Sequence, residues 1–186
     1  MNEQIRVLGF AGSLRQGSYN RALLQAALEV LPNGAKLNVF ELDGIPPFSD
    51  DLVSTAPEKV KGFKREIKAA DALLIVTPEY NYSVPGVLKN AIDWASRPPE
   101  DNAFEGKPVA MMSASTGMLG GARAQYHLRQ SFVFLNMYAV NKPEVFVSFA
   151  SQKFDSKGRL LDEKAKELIR ELLGNLIALT KRLKIA

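Results

Sequence analysis

Apolar positions along the chain fall into short continuous runs, separated by longer stretches in which they recur every three or four residues. The first run, Ile5-Arg6-Val7-Leu8-Gly9-Phe10-Ala11, reads as a strand. Leu23, Leu24, Ala27, Leu28 and Leu31 then mark one stripe of a helix over residues 21–31. Pro32-Asn33-Gly34 stops that helix. Residues 37–42 form a strand with polar interruptions, as suits a sheet edge. A long turn over residues 43–56 contains Pro46-Pro47. Pro57 suits a first helical position, and Val60, Phe63, Ile67 and Ala70 mark the buried face of a second helix. Residues 72–77 are apolar almost without a break, the pattern of a central parallel strand covered on both faces. The series continues with a third helix over 86–96, ended by Pro98-Pro99, and an apolar strand over 108–115. A fourth helix over 122–137 and a fifth strand over 145–149 follow. A closing helix from Asp162 carries Ala165, Leu168, Ile169, Leu172, Leu176 and Leu183 on its stripe.

This alternation of strand and helix predicts a doubly wound parallel sheet with right-handed crossovers. The more polar second and fifth strands belong at the edges. The expected architecture is therefore a flavodoxin-like three-layer α/β/α fold, with a five-stranded parallel sheet in the order 2-1-3-4-5. Nothing in the 186 residues reads as a linker or repeat, so a single domain over residues 1–186 is expected. Ligands in such sheets bind beyond the carboxyl ends of the strands, at the switch between strands 1 and 3. The three irregular loops, residues 12–20, 78–86 and 116–121, follow strands 1, 3 and 4, and are expected to converge there.

The first loop, Gly12-Ser13-Leu14-Arg15-Gln16-Gly17-Ser18-Tyr19-Asn20, joins a strand to a helix and contains no carboxylate. The first amides of a helix lack intrahelical acceptors and the dipole there is positive, so such a loop can cradle a phosphate. Its Gly-x4-Gly spacing matches a triphosphate loop, but Ser18 and Tyr19 stand where that motif needs Lys and Ser or Thr. Gly9 and Gly12 are three apart, which excludes the dinucleotide fingerprint. Hydroxyls with one arginine suit a terminal monophosphate. The same stretch also reads as a polar turn with ordinary capping by Ser18 or Asn20. The second loop offers Tyr80, Asn81 and Tyr82 between the stiffening Pro78 and Pro85. Gly117, Gly120 and Gly121 in the third allow a flat group to approach the main chain. A phosphate at one end and a flat ring between the other two loops describe flavin mononucleotide (FMN). Glu79 is the loops' carboxylate, expected to bond loop amides rather than to act in catalysis.

Composition narrows the field. The chain has no cysteine and one histidine, His127, which excludes thiolate metal sites, cysteine nucleophiles and a histidine metal cluster. No metal and no catalytic side chain is expected. Net charge is +4, with the basic residues scattered, which argues against a nucleic-acid footprint. No apolar run reaches the roughly 18 residues of a membrane span, and the N-terminal residues show no signal-peptide pattern. A cytoplasmic protein is the expectation.

Three motifs together resemble the NADPH-dependent FMN reductase family, and within it the quinone and chromate reductases. They are Gly12-Ser13-Leu14-Arg15-x-Gly17-Ser18-x-Asn20, then Pro78-Glu79-Tyr80-Asn81-x-Ser83-x-Pro85-Gly86-x-Leu88-Lys89-Asn90-Ala91-x-Asp93-Trp94, and Gly117-x-x-Gly120-Gly121-x-Arg123-Ala124-Gln125. The resemblance covers nearly the whole chain. It implies non-covalent FMN, NADPH or NADH as hydride donor, and a homodimer or homotetramer with the flavin near the subunit interface. It implies phosphate contacts from Ser13, Arg15, Ser18, Tyr19 and Asn20. Ring contacts fall to Pro78, Glu79, Tyr80, Asn81 and Tyr82, with Ser115 and Gly117 across from them. The expected reaction is ping-pong: hydride passes from NAD(P)H to the flavin, then electrons pass to quinones, chromate, azo compounds or free flavin. Main-chain donors near the flavin are expected to favour its anionic reduced form. A flavodoxin-type electron carrier without NAD(P)H oxidation is the alternative; such carriers are generally acidic, and this chain is basic. A phosphate-ligand binding module without redox activity is a third reading. Phe132, Val133, Phe134, Leu135 and Met137 exceed one sheet-facing stripe, so the third and fourth helices are the expected oligomer contact. Arg123, Tyr126 and Glu144 are weighed as a polar link there against an ordinary surface role, and Trp94 is assigned to the core or a dimer contact.

Overall fold

The computed structural model describes residues 4–185. Its strands are β1 (Ile5–Ala11), β2 (Ala35–Val39), β3 (Ala72–Val76), β4 (Pro108–Ala114), β5 (Tyr138–Ala139) and β6 (Val145–Val147). Its helices are α1 (Tyr19–Glu29), α2 (Glu58–Ala69), α3 (Gly86–Ala95), α4 (Ala122–Phe134) and α5 (Glu163–Ile185). All strand pairs are parallel and the order is β2-β1-β3-β4-β5, with β6 also paired to β4.

The unbroken apolar run of β3 has the explanation its pattern predicts. Leu74 and Val76 face a core formed with α1 and α5, while Leu73 and Ile75 face a second core formed with α2, α3 and α4. Alternate side chains point to opposite faces of a strand, so both must be apolar when helices cover both. Phe10 and Phe63 meet edge to face at 5.2 Å within the second core. Trp94 on α3 is buried as well, its indole N–H donating to the Pro46 carbonyl at 2.8 Å.

Three elements depart from expectation. The fourth helix ends at Phe134, not at residue 137, because Asn136 takes a left-handed conformation (φ 53°). Met137 N–H then bonds the Phe132 carbonyl at 3.0 Å and Asn136 N–H the Val133 carbonyl at 3.3 Å, which is a Schellman ending. The chain turns back at once into β5, a strand absent from the expected five. The fifth position of the sheet is therefore shared: β5 pairs with Pro108 and Val109, and β6 with Met112, Ser113 and Ala114. At the other end α1 starts at Tyr19, two residues early, because Ser18 caps it: the Ser18 Oγ accepts the Asn20 N–H at 3.2 Å. No described helix is long and apolar enough to cross a membrane.

Candidate functional site

The three irregular loops leave the sheet side by side. Main-chain bonds extend the ladder beyond the strands: Gly12 N–H to Val76 O at 2.8 Å, and Thr77 N–H to Met112 O and Ser115 N–H to Val147 O at 3.0 Å each. Between the loops lies a cavity of about 190 Å³. Ser13, Arg15, Ser18, Tyr19 and Asn20 line it from the first loop, Pro78, Glu79 and Tyr80 from the second, and Ala114, Ser115 and Thr116 from the third. A larger open groove of about 920 Å³ lies on the far side of Ser18 and Tyr19. Its Arg21 and Arg159 are committed to Glu41 at 3.0 Å and Asp155 at 2.7 Å, and only the first irregular loop reaches it.

The first loop folds back through Ser18 N–H to the Arg15 carbonyl at 3.1 Å. Arg15 lies against the Tyr19 ring, 5.9 Å from its centroid, and has no ion-pair partner among the described residues. Ser13 is a buried residue, but its hydroxyl stays accessible and has no hydrogen-bond partner among them either. These groups, with the Tyr19 and Arg21 main-chain N–H groups of the first turn of α1, form an uncommitted donor set at one end of the cavity. Asn20 is different. Its side chain is buried, donates to Ala114 O at 2.8 Å and accepts Ala114 N–H at 2.9 Å. It copies a strand's ladder and ties the start of α1 to the end of β4, so its amide braces the cavity rather than standing free for an anion.

In the second loop, Asn81 (φ 50°) and Tyr82 (φ 67°) are both left-handed, and Tyr80 and Ser83 exchange main-chain bonds at 3.0 Å on either side. Two left-handed residues at a hairpin tip make a type I′ turn. Asn81 and Tyr82 therefore stand outside the cavity. Gly117 also lies beyond its wall, its amide donating to the Ser115 Oγ at 3.1 Å.

Glu79 bonds amides as expected, but those of another element. Its Oε2 accepts the N–H groups of Arg123 at 3.1 Å and Ala124 at 3.4 Å, while its Oε1 takes the Arg123 Nε at 2.5 Å. Gly121, the residue before α4, has no side chain with which to cap it. Glu79 supplies that cap from the loop after β3, placing a negative charge at the positive end of the helix. The Arg123 guanidinium also stacks on the Tyr82 ring, its Cζ 3.5 Å from the centroid. The hydrogen bond it donates to Glu79 pushes the pKa of the Arg123 guanidinium above its ordinary value. One turn further along α4, the His127 Nδ1 meets the Ser83 Oγ at 3.0 Å.

Arg123 thus joins Glu79 and Tyr82 within the chain, while Tyr126 packs on Phe146 with ring centroids 6.2 Å apart. Glu144 is exposed and pairs with neither within the chain. The sequence did carry a signal for Arg123. A cation in the first turn of a helix opposes the dipole unless a carboxylate compensates, and Glu79 is the carboxylate of these loops. Among the described residues no cluster of His, Cys, Asp or Glu could hold a metal ion.

The family model described as NADPH-dependent FMN reductase matches residues 5–152. An NAD(P)H-dependent FMN reductase of Pseudomonas aeruginosa is 54% identical over 185 residues, covering 99% of this chain and 100% of that protein. An NAD(P)H:quinone oxidoreductase of Solanum tuberosum is 48% identical, covering 97% of this chain and 95% of its own. Among solved structures, the flavoenzyme NAD(P)H:(acceptor) oxidoreductase FerB of Paracoccus denitrificans superposes with a TM-score of 0.87 at 31% identity, covering 96% of this chain and 98% of that one.

Proposed function

The chain belongs to the NADPH-dependent FMN reductase family, and from that premise we propose how its residues serve the reaction. It is an FMN-dependent NAD(P)H oxidoreductase that uses quinones as acceptors. The observation that carries the assignment of residues is the convergence of three loops on one cavity with an uncommitted donor set at one end. FMN, when bound, takes a hydride from NAD(P)H and delivers two electrons to the acceptor. A quinone gaining these electrons also gains two protons, one of them from solvent.

Ser13, Arg15, Ser18 and Tyr19 hold the phosphate, with Asn20 fixing the turn that presents them. Pro78, Glu79 and Tyr80 flank the ring on one side and Ser115 on the other. Asn81 and Tyr82 set the shape of the hairpin, and Gly117 sets that of the third loop. The cavity presents no histidine or cysteine and its one carboxylate is already bonded, so the protein's part is binding, orientation and charge. Chromate, azo compounds and free flavin are further acceptors. NADPH or NADH is the donor, and dependence on it favours a cytoplasmic setting.

Purification should yield a yellow protein that releases FMN and is bleached by NADPH without air. Varying NADPH and a quinone together should give parallel initial-rate plots. A colourless protein that takes up no added FMN, or intersecting plots, overturns this reading.

The protein also self-associates. Val133 and Phe134, at the end of α4, are 83% and 76% exposed, and Tyr138 beyond them is exposed as well. Of the two helices, α4 carries large exposed apolar side chains, Tyr126, Val133 and Phe134, and α3 carries none, so α4 leads the proposed dimer or tetramer contact. Replacing Val133 and Phe134 together by aspartate should convert the oligomer to a folded monomer in light scattering. A wild-type protein that is monomeric at micromolar concentration contradicts the contact.

A further inference from the structure

Glu79 is half-buried, its carboxylate in the wall of a cavity proposed to accept an anionic ligand. Its side chain is only 9% exposed. Left alone there, its charge would oppose both the phosphate and the negative charge that the flavin gains on reduction. It is not left alone. Two α4 amides and the Arg123 guanidinium, with Nε and Nη2 each 2.5 Å from the Oε1, surround it.

Resting on the reading of the cavity as an FMN site, we propose that Arg123 is a positioning residue that neutralises Glu79 and thereby sets the reduction potential of the bound flavin. Arg123 lies outside the cavity, so it acts through Glu79. Its stacking on Tyr82 fixes the guanidinium plane, and the left-handed turn at Asn81 and Tyr82 brings that ring beneath it. The pair is a matched charge: removing either member exposes the other to the ring.

The signs are opposite and diagnostic. Arg123→Ala leaves the carboxylate less compensated, disfavours the anionic reduced flavin and lowers the potential. Glu79→Gln keeps a carbonyl oxygen for the helix amides, removes the negative charge and raises the potential. Each shift should be at least tenfold in the ratio of reduced to oxidised flavin at a fixed poise, about 30 mV for a two-electron couple. Arg123→Lys keeps the charge and should return the ratio to within about threefold of wild type.

The experiment is a spectroscopic redox titration of FMN in the purified wild-type, Arg123→Ala, Arg123→Lys and Glu79→Gln proteins, with apoprotein melting measured in parallel. Opposite shifts with lysine rescue support the proposal. Shifts of one sign, or unchanged potentials beside lowered melting temperatures, overturn it and leave a purely structural pair. If Arg123→Ala does not fold, Arg123→Gln takes its place with the same expected sign. A wild-type protein that binds no FMN overturns the functional reading and this inference together. One that binds FMN while the variants fail the sign test overturns this inference alone.

Discussion

Removing the Arg15 guanidinium and the Ser18 hydroxyl together should raise the Kd for FMN by about 10²–10⁴-fold, since two hydrogen bonds to a charged group contribute roughly 1.5–3 kcal/mol each. Both groups line the cavity at its donor-rich end, and Arg15 has no ion-pair partner among the described residues. Ser18 also caps α1, so its loss carries a helix cost of about 1 kcal/mol that could mimic a binding defect. Riboflavin separates the two effects because it has the ring and lacks the phosphate. The double variant should bind riboflavin nearly as well as wild type while losing its preference for FMN, measured by quenching of flavin fluorescence. Equal losses for both ligands would mean that the loop supports the fold and does not read the phosphate.

Gly121→Ala should lower the melting temperature by about 10 °C, combining left-handed strain of roughly 1–2 kcal/mol with overpacking of about 1–3 kcal/mol. Gly121 has φ 92°, and an added Cβ would stand 2.7 Å from Ser113 Cβ and 2.8 Å from Ser113 Oγ. That hydroxyl donates to the Gly120 carbonyl at 2.6 Å and accepts from Gln125 Nε2 at 2.7 Å, so it cannot move without breaking the network that seats α4 on β4. Gly158→Ala is the control. Gly158 is also left-handed, but its nearest neighbour would be Ala22 Cβ at 3.7 Å, so strain acts there alone. Gly158→Ala should cost well under half as much in thermal melts. Equal costs at the two sites would remove the close approach to β4 as a cause.

The parts of the fold that were legible are those where one residue pattern has one physical reading. The apolar run 72–76 must be covered on both faces, and it is. Gly-rich and Pro-rich loops following strands 1, 3 and 4 had to share one end of a parallel sheet, and the cavity lies between them. β5 was not legible because two residues, Tyr138 and Ala139, carry no period. It exists because Asn136 ends α4 early and β4 offers an unpaired edge. The site's donors were legible by type, but their commitments were not. Asn20 reads as a free amide until Ala114 is seen to occupy both of its ends. Arg123 reads as a surface cation until the loop after β3 brings Glu79 to the start of α4. Such pairings depend on tertiary approach across 44 or 94 residues, which local spacing does not encode.

The shared fifth position also bears on how the protein behaves in a crowded solution. A long straight edge strand is a template on which another chain can add and begin an aggregate. Here that border is broken into pieces of two and three residues, and the segment between them carries Asn141, Lys142, Pro143 and Glu144. Proline offers no main-chain donor, and the charged neighbours resist stacking against a like copy. The sheet thus ends in a border too short to seed a fibril.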